Sequence, residues 1–291
     1  LENSTSPPST RMPAESHHPL RFQKSQIYFD NRIPEISQSS TNPKYTQQGF
    51  DTAFRLVAND GQLGSVLGKY AVQKWNAKTV AVIDDRTAYG QGIADEFLKA
   101  AQANGAKLVS RQYTTDKATD FRGALTAVKG ENPDVLFYGG MDAQGGPMIR
   151  QMQQLGMQTK FMGGDGICSG QLPALAGTSL QGRQVLCAEA GGITPEYAPG
   201  MEAFRRRFKA KYGDDVVIYA PYAYDAVMIL VDAMKRANSS DPAKYLPYLQ
   251  KTDYKGVIGE TRFDQKGDLQ SATLTLYTYN DGKRESLGVQ R

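Results

Sequence analysis

The sequence predicts an α/β protein of two doubly wound, mostly parallel sheets, the first of them incomplete. Three observations lead there. Short β-rich apolar runs alternate with helical stretches of ten or more residues, the mark of βαβ units. This rhythm is unbroken between residues 60 and 189, which supply one full lobe. The flanking stretches 25–59 and 190–268 supply helices but only one clear strand, too little for a second complete lobe. At 291 residues the chain has room for two compact lobes of the usual size, domains running to roughly 100–200 residues.

The elements follow in order. Residues 1–24 are rich in Ser, Thr, Pro and Glu without periodicity, and such a composition buries too little apolar surface to offset chain entropy. They are expected to be a disordered leader; Leu1 is not followed by a charged-then-apolar export signal. Thr79 to Ile83 (TVAVI) is a strand of the kind buried on both faces of a parallel sheet. Tyr89 to Asn104 places Ile93, Phe97, Ala100 and Ala101 at helical spacing and stops at Gly105. Lys107 to Tyr113 is the next strand, Phe121 to Lys129 the next helix, and Val135 to Tyr138 a strand again. Met148, Ile149, Met152 and Leu155 stripe a helix ended by Gly156, and strands return at Phe161–Met162 and Gln184–Ala188.

Then the rhythm changes. Two helices, Pro199–Tyr212 and Tyr222–Ala237, come with little strand between them, and a short helix follows at Ala243–Lys251. The end is β-rich: Glu260–Phe263, a turn at 264–268, then Ala272–Tyr279, with Leu274 and Leu276 on one face and Tyr277 and Tyr279 on the other. The division expected is therefore 25–59 with 190–268 as the remnant of a first lobe, and 60–189 with 269–291 as the second.

Composition excludes several functions. Apolar residues make up 40% and charged residues 22%, the balance of a soluble globular protein. No run approaches the roughly 18 apolar residues of a membrane span. The 34 basic and 30 acidic residues are interspersed, and the one dense run, Arg205-Arg206-Arg207 with Lys209 and Lys211, lies on an amphipathic helix. It reads as a solvated face and not as a nucleic-acid surface, which would need interleaved aromatics. Two cysteines, Cys168 and Cys187, are too few for a structural zinc, and no metal or cofactor is expected. They are either two buried thiols or a disulfide, and we expect the disulfide. Gly166-Ile167-Cys168-Ser169-Gly170 has the form of a nucleophile elbow, but the histidines are only His17 and His18, in the leader, so a cysteine hydrolase lacks its base. Tyr89-Gly90-Gln91-Gly92 opens a helix without the third glycine of a dinucleotide loop, because Asp95 stands there.

What remains are small polar groups where open α/β sheets bind ligands, beyond the C-terminal ends of strands. Ser37 to Thr41 follows Ile33–Ile36, Tyr89 lies beyond Asp84-Asp85, Met141-Asp142 beyond Gly139-Gly140, and Asp165 beyond Gly163. Hydroxyls and backbone N–H groups suit a carboxylate and Asp165 suits an ammonium, so together they complement a zwitterion.

Ile33-Pro34-x-Ile36-Ser37, Ser40-Thr41-Asn42-Pro43 and Gln48-Gly49-Phe50 resemble the leucine/isoleucine/valine-type periplasmic binding proteins of ABC importers. So do Tyr89-Gly90-Gln91-Gly92, Tyr138-Gly139-Gly140, Phe161-Met162-Gly163 and Phe263-Asp264-x-x-Gly267-Asp268, in family order from about Ser25 onward. The resemblance implies two lobes joined by three crossovers that close over a free amino acid, without catalysis. It also implies a periplasmic, monomeric protein whose partners are ABC permease subunits. Ser39, Ser40 and Thr41 of one lobe would hold the ligand, with Tyr89 and Asp165 of the other, Asp165 facing the ammonium. Tyr219 would lie near the side-chain end, and Met141 stands where the family often has tyrosine. Residues 1–24 match none of the family's opening lobe, so a truncated or frame-disrupted member is expected. Alternatives are a sensory module of the same fold, a non-functional remnant, and the cysteine hydrolase.

Overall fold

The computed structural model describes residues 25–182, 184–280 and 282–290; the leader expected at 1–24 lies outside the described residues. Two short strands, β1 (Glu35–Ser37) and β2 (Ala53–Arg55), pair in parallel near the start. A regular alternation follows: α1 (Asp60–Gln73), β3 (Thr79–Asp84), α2 (Ala88–Ala103), β4 (Lys107–Tyr113), α3 (Arg122–Glu131) and β5 (Val135–Gly139). It continues through α4 (Asp142–Gln154), β6 (Lys160–Gly163), the short α5 (Leu172–Ala176) and β7 (Val185–Glu189). Three helices come next, α6 (Ala198–Tyr212), α7 (Ala220–Ala237) and α8 (Pro242–Gln250). The two-residue strands β8 (Tyr254–Lys255) and β9 (Glu260–Thr261) precede a hairpin of β10 (Leu274–Asn280) and β11 (Lys283–Gln290).

Seven strands form one sheet in the order β11-β10-β7-β6-β5-β3-β4. The five from β3 to β7 are parallel, and the terminal hairpin adds two antiparallel strands against β7. Because β3 lies between β4 and β5, the winding reverses there and a crevice opens at the strands' carboxyl ends. Side chains alternate between two cores. On one face Val80, Val82, Phe137, Met162, Leu274 and Leu276 pack with residues of α1, α2, α7 and α8. On the other, Ala81, Ile83, Leu136, Tyr138, Phe161 and Tyr279 pack with α3, α4 and α5. The faces expected for Leu274, Leu276 and Tyr279 are the faces observed.

The strands β1, β2, β8 and β9 lie outside this sheet, in two pairs of their own. Three segments distant in sequence, around residues 58, 190–192 and 273–275, are hydrogen-bonded side by side. Ala58 N–H donates to Ala190 O at 3.1 Å, Thr275 Oγ1 to Gly191 O at 2.8 Å, and Thr273 Oγ1 to Gly192 O at 2.9 Å.

Several expectations need correction. Residues 25–59 and 190–268 contain four strands and not one, since β1, β2, β8 and β9 all fall there. They are two or three residues long, too short to show a period, and pairing alone defines them. The strand β11 was not anticipated because it is a mostly exposed edge with a polar sequence. Helix α1 likewise went unplaced in the sequence. The basic run on α6 is exposed and interleaved with acids: Glu202 lies 3.8 Å from Arg206, and Asp215 lies 2.8 Å from Lys209. No helix among the described residues is long and apolar enough to cross a membrane.

Cys168 and Cys187 are joined in a disulfide with Cα atoms 5.3 Å apart, and both are fully buried. The bond ties the turn after β6 to β7. It also removes the thiol that a cysteine hydrolase would use. The partners are 19 positions apart, and closing such a loop restrains the unfolded chain by about 3 kcal/mol. Replacing both cysteines by serine should therefore lower unfolding free energy by about 2–4 kcal/mol. Denaturant titration checks this, and a midpoint insensitive to the double substitution contradicts it.

Candidate ligand-binding site

The strand β6 ends at Gly163, and the chain bends through Gly164 into a 3₁₀ turn at Asp165–Ile167. Both oxygens of Asp165 are held by tyrosine hydroxyls. Tyr89 Oη donates to Oδ1 at 2.8 Å, and Tyr219 Oη donates to Oδ2 at 2.7 Å. Tyr89 belongs to α2 and Tyr219 to the start of α7, so the carboxyl ties together two elements far apart in sequence.

Local sequence explains each placement. Tyr89 sits in the first turn of α2, whose N-cap Thr87 accepts from Gly90 N–H at 2.9 Å. Asp85 accepts in turn from the Thr87 hydroxyl at 2.6 Å, which fixes the start of the helix at the end of β3. Gly166 N–H donates to Tyr89 Oη at 2.7 Å. A Cβ at Gly166 would stand 2.5 Å from Gly140 O and 2.8 Å from the Tyr89 ring, so only glycine lets the turn come this close. Tyr219 stands at the N-cap of α7 with Pro221 in the first turn. From behind, Tyr279 Oη donates to Ile167 O at 3.2 Å and Ser169 O at 3.0 Å, Arg284 donates to Cys168 O, and the disulfide pins Cys168.

The electrostatics centre on a buried acid. Surrounding protein pushes the Asp165 carboxyl above its usual range, and the two tyrosine hydrogen bonds only partly offset this. Burial and the Asp165 charge push the Tyr89 and Tyr219 hydroxyls well up, so both remain protonated donors. Glu189 is also raised by burial although Arg284 lies 3.1 Å away, and it feels Asp165 in turn. No arginine or lysine reaches Asp165 as a salt-bridge partner among the described residues.

The serine-threonine loop leads on from β1 and meets the start of α2. Ser37 Oγ accepts from Ser40 N–H at 2.9 Å and, weakly, from Ser39 N–H at 3.4 Å. Asn42 Nδ2 donates to Ala88 O at 2.7 Å, which brings the loop beside Tyr89. Thr41 is buried, and its hydroxyl makes no hydrogen bond among the described residues. Met141, at the N-cap of α4, is 45% exposed and offers no polar group. Thus Thr41, Tyr89, Asp165 and Tyr219 are brought together, whereas Ser39 and Ser40 shape the loop through backbone groups.

Two residues escaped the sequence reading. Arg55 looks like one charge in a short strand, and Asp60 follows Asn59, an ordinary capping-box N-cap, so both read as local structure. Yet Arg55 has no exposed surface. Its guanidinium donates to Ser40 O at 3.0 Å, Asn42 O at 2.9 Å, Thr46 Oγ1 at 2.7 Å and Asp268 Oδ1 at 2.8 Å. A cavity of about 300 Å³ lies elsewhere, beside the hydrogen-bonded segments near Ala58, Gly192 and Thr273, and includes none of the expected ligand residues.

The sequence pattern of the family described as periplasmic binding protein matches residues 19–284. The chain belongs to that family. It is 34% identical over 259 residues to the Leu/Ile/Val-binding protein homolog 1 of Brucella suis, covering 89% of this chain and 68% of that protein. It is 30% identical over 256 residues to a leucine-, isoleucine-, valine-, threonine-, and alanine-binding protein of Pseudomonas aeruginosa, covering 88% and 68%. The leucine binding protein LivK of Thermotoga maritima superposes with a TM-score of 0.83 at 26% identity, over 92% of this chain and 76% of that one. LivJ of Streptococcus pneumoniae, solved with isoleucine, gives 0.77 at 24% identity over 91% and 74%, which speaks for the fold. This periplasmic binding protein therefore has the α/β architecture expected of its sequence.

Arg55→Ala should cost about 3–5 kcal/mol, the loss on stranding a buried ionic partner, here Asp268. Chemical denaturation reads it directly; a loss below about 1 kcal/mol, the size of a surface pair, would show that the guanidinium is dispensable.

Proposed function

We propose that this chain is the substrate-binding component of an ABC importer for amino acids of the branched-chain type, holding one free amino acid between two lobes. Residues 60–189 and 269–291 make one lobe, and 25–59 with 190–268 the other. Asp165 receives the ligand's ammonium, Tyr89 and Tyr219 orient that carboxyl, and Thr41 with its loop meets the ligand's polar end. The observation that carries this reading is the Asp165 carboxyl at the end of β6, held by the Tyr89 and Tyr219 hydroxyls with no basic side chain paired to it among the described residues. A carboxyl so placed lacks a counter-charge, and an ammonium supplies it. The family and its relatives support the choice of amino acids, since those relatives are named for leucine, isoleucine and valine. On the same reading the chain acts as a monomer in the periplasm and delivers its ligand to permease subunits.

Calorimetry with L-leucine, L-isoleucine and L-valine tests the proposal. Asp165→Asn should weaken binding ten-fold or more, on the order of 1.5–3 kcal/mol for a charged hydrogen bond. Indifference to that substitution, or no binding of any of the three, defeats the assignment. The pH dependence has a definite sign. Binding an ammonium needs the ionised carboxyl, and Asp165 protonates at higher pH than a free aspartate. Affinity should therefore fall on acidification sooner than a free aspartate's pKa would give, and Asp165→Asn should flatten that acid limb; an acid limb unchanged in the variant assigns it to another group.

A further inference from the structure

Asp60, at the first position of α1, has no exposed surface. Neither of its carboxyl oxygens reaches full hydrogen-bond geometry with a donor among the described residues, and the Thr41 hydroxyl is the donor that acts on it. Its backbone N–H donates to Thr41 O at 2.8 Å, and the Thr41 hydroxyl lies near enough to ease its ionisation. The helix start gives it nothing more, because Asn59 has taken the capping role and accepts from Gln62 N–H. On the far side, a Cβ on Gly92 of α2 would stand 3.3 Å from Asp60 Oδ2 and 2.8 Å from Asn42 Nδ2, whose N–H donates to Ala88 O, so α2 closes the space directly. A buried carboxyl with poorly satisfied acceptors is costly, and such groups in folded proteins are nearly always satisfied by something.

The surroundings point to what satisfies it. Burial and the charges of Asp165 and Glu96 oppose ionisation of Asp60, while the Thr41 hydroxyl and the Arg55 charge favour it, and the balance holds the carboxyl well above its usual range. The Arg55 side chain is already committed to Asp268. The Tyr89 hydroxyl feels both Asp60 and Asp165. A cation placed against Tyr89 and Asp165 is therefore in the field of Asp60 as well.

We propose that Asp60 is a second carboxyl of the ligand site, which shares the ligand's ammonium with Asp165. The inference rests on the amino-acid reading above. Without ligand, one proton sits on Asp60. When the ammonium enters, that proton leaves to solvent and the ammonium N–H groups donate to both carboxylates. No covalent bond changes, and the summed charge of the two carboxyls and their proton or ligand ammonium is the same before and after, one negative charge. Binding thus releases protons, and affinity strengthens as pH rises.

The test is calorimetry of the intact chain with L-leucine near neutral pH in two buffers of different ionisation enthalpy, for the parent, Asp60→Asn and Asp165→Asn. Expected are release of about one proton by the parent, binding at least ten-fold weaker with Asp60→Asn, and no proton release assignable to position 60 in that variant. Thermal unfolding without ligand separates binding from structure. A carboxyl whose folded pKa lies above its unfolded one contributes stability below the unfolded value, lost as pH rises through the folded one. As pH rises past the unfolded value, Asp60→Asn should therefore melt increasingly above the parent while binding more weakly, whereas a merely structural residue would lose both. Unchanged affinity and proton count in Asp60→Asn, with Asp165→Asn still impaired, overturn the role of Asp60 alone. Equal binding of leucine and of 4-methylpentanoate, its analogue without the ammonium, overturns the amino-acid reading and Asp60 with it, as does a parent that binds neither.

Discussion

A guanidinium sealed away from water sets the terms for the rest of this molecule. Arg55 ends the second short strand, and its partner Asp268 lies 213 positions further on. Their ion pair joins two distant segments where a lone charge would be very costly. The remaining N–H groups of Arg55 are spent on the carbonyls of Ser40 and Asn42 and on the Thr46 hydroxyl. Thus the loop carrying Thr41 is fixed by its backbone, and its position is decided by one side chain.

Across from that loop the same logic is applied to an acid. Asp165 is held by two hydroxyls, and the turn beneath it is held by a disulfide, a tyrosine and an arginine. The supports are neutral or act on backbone carbonyls, so none neutralises the carboxyl itself. A site built this way is rigid in position but unsatisfied in charge, which is what a receptor for a cationic group requires. The tyrosine hydroxyls tie the carboxyl to α2 and to the start of α7.

The parallel sheet reads well from its sequence because its central strands are buried on both faces and flanked by amphipathic helices. Runs such as Thr79–Ile83 and Val135–Tyr138 have no alternative use, since their apolar content is soluble only inside a sheet. The tyrosine at 89 and the aspartate at 165 were legible for a related reason. Open sheets bind at the carboxyl ends of their strands, and small glycine-rich turns mark those ends.

The strands outside it were legible only in part. They are two or three residues long, and residues 53–55 become a strand solely because residues 35–37 lie alongside. Likewise β11 exists because β10 presents it an edge. By itself the sequence determined the α/β class, the order of the long elements, the pairing expected of its two cysteines, and the family of resemblance. Local periodicity, composition and motif order suffice for these. Only the tertiary structure decided that Arg55 is buried beneath the serine-threonine loop, that Tyr219 reaches Asp165, and that Asp60 is enclosed. The pairings of Tyr219 with Asp165 and of Arg55 with Asp268 span 54 and 213 positions, and no local pattern encodes the solvent exclusion that gives a charged side chain its role.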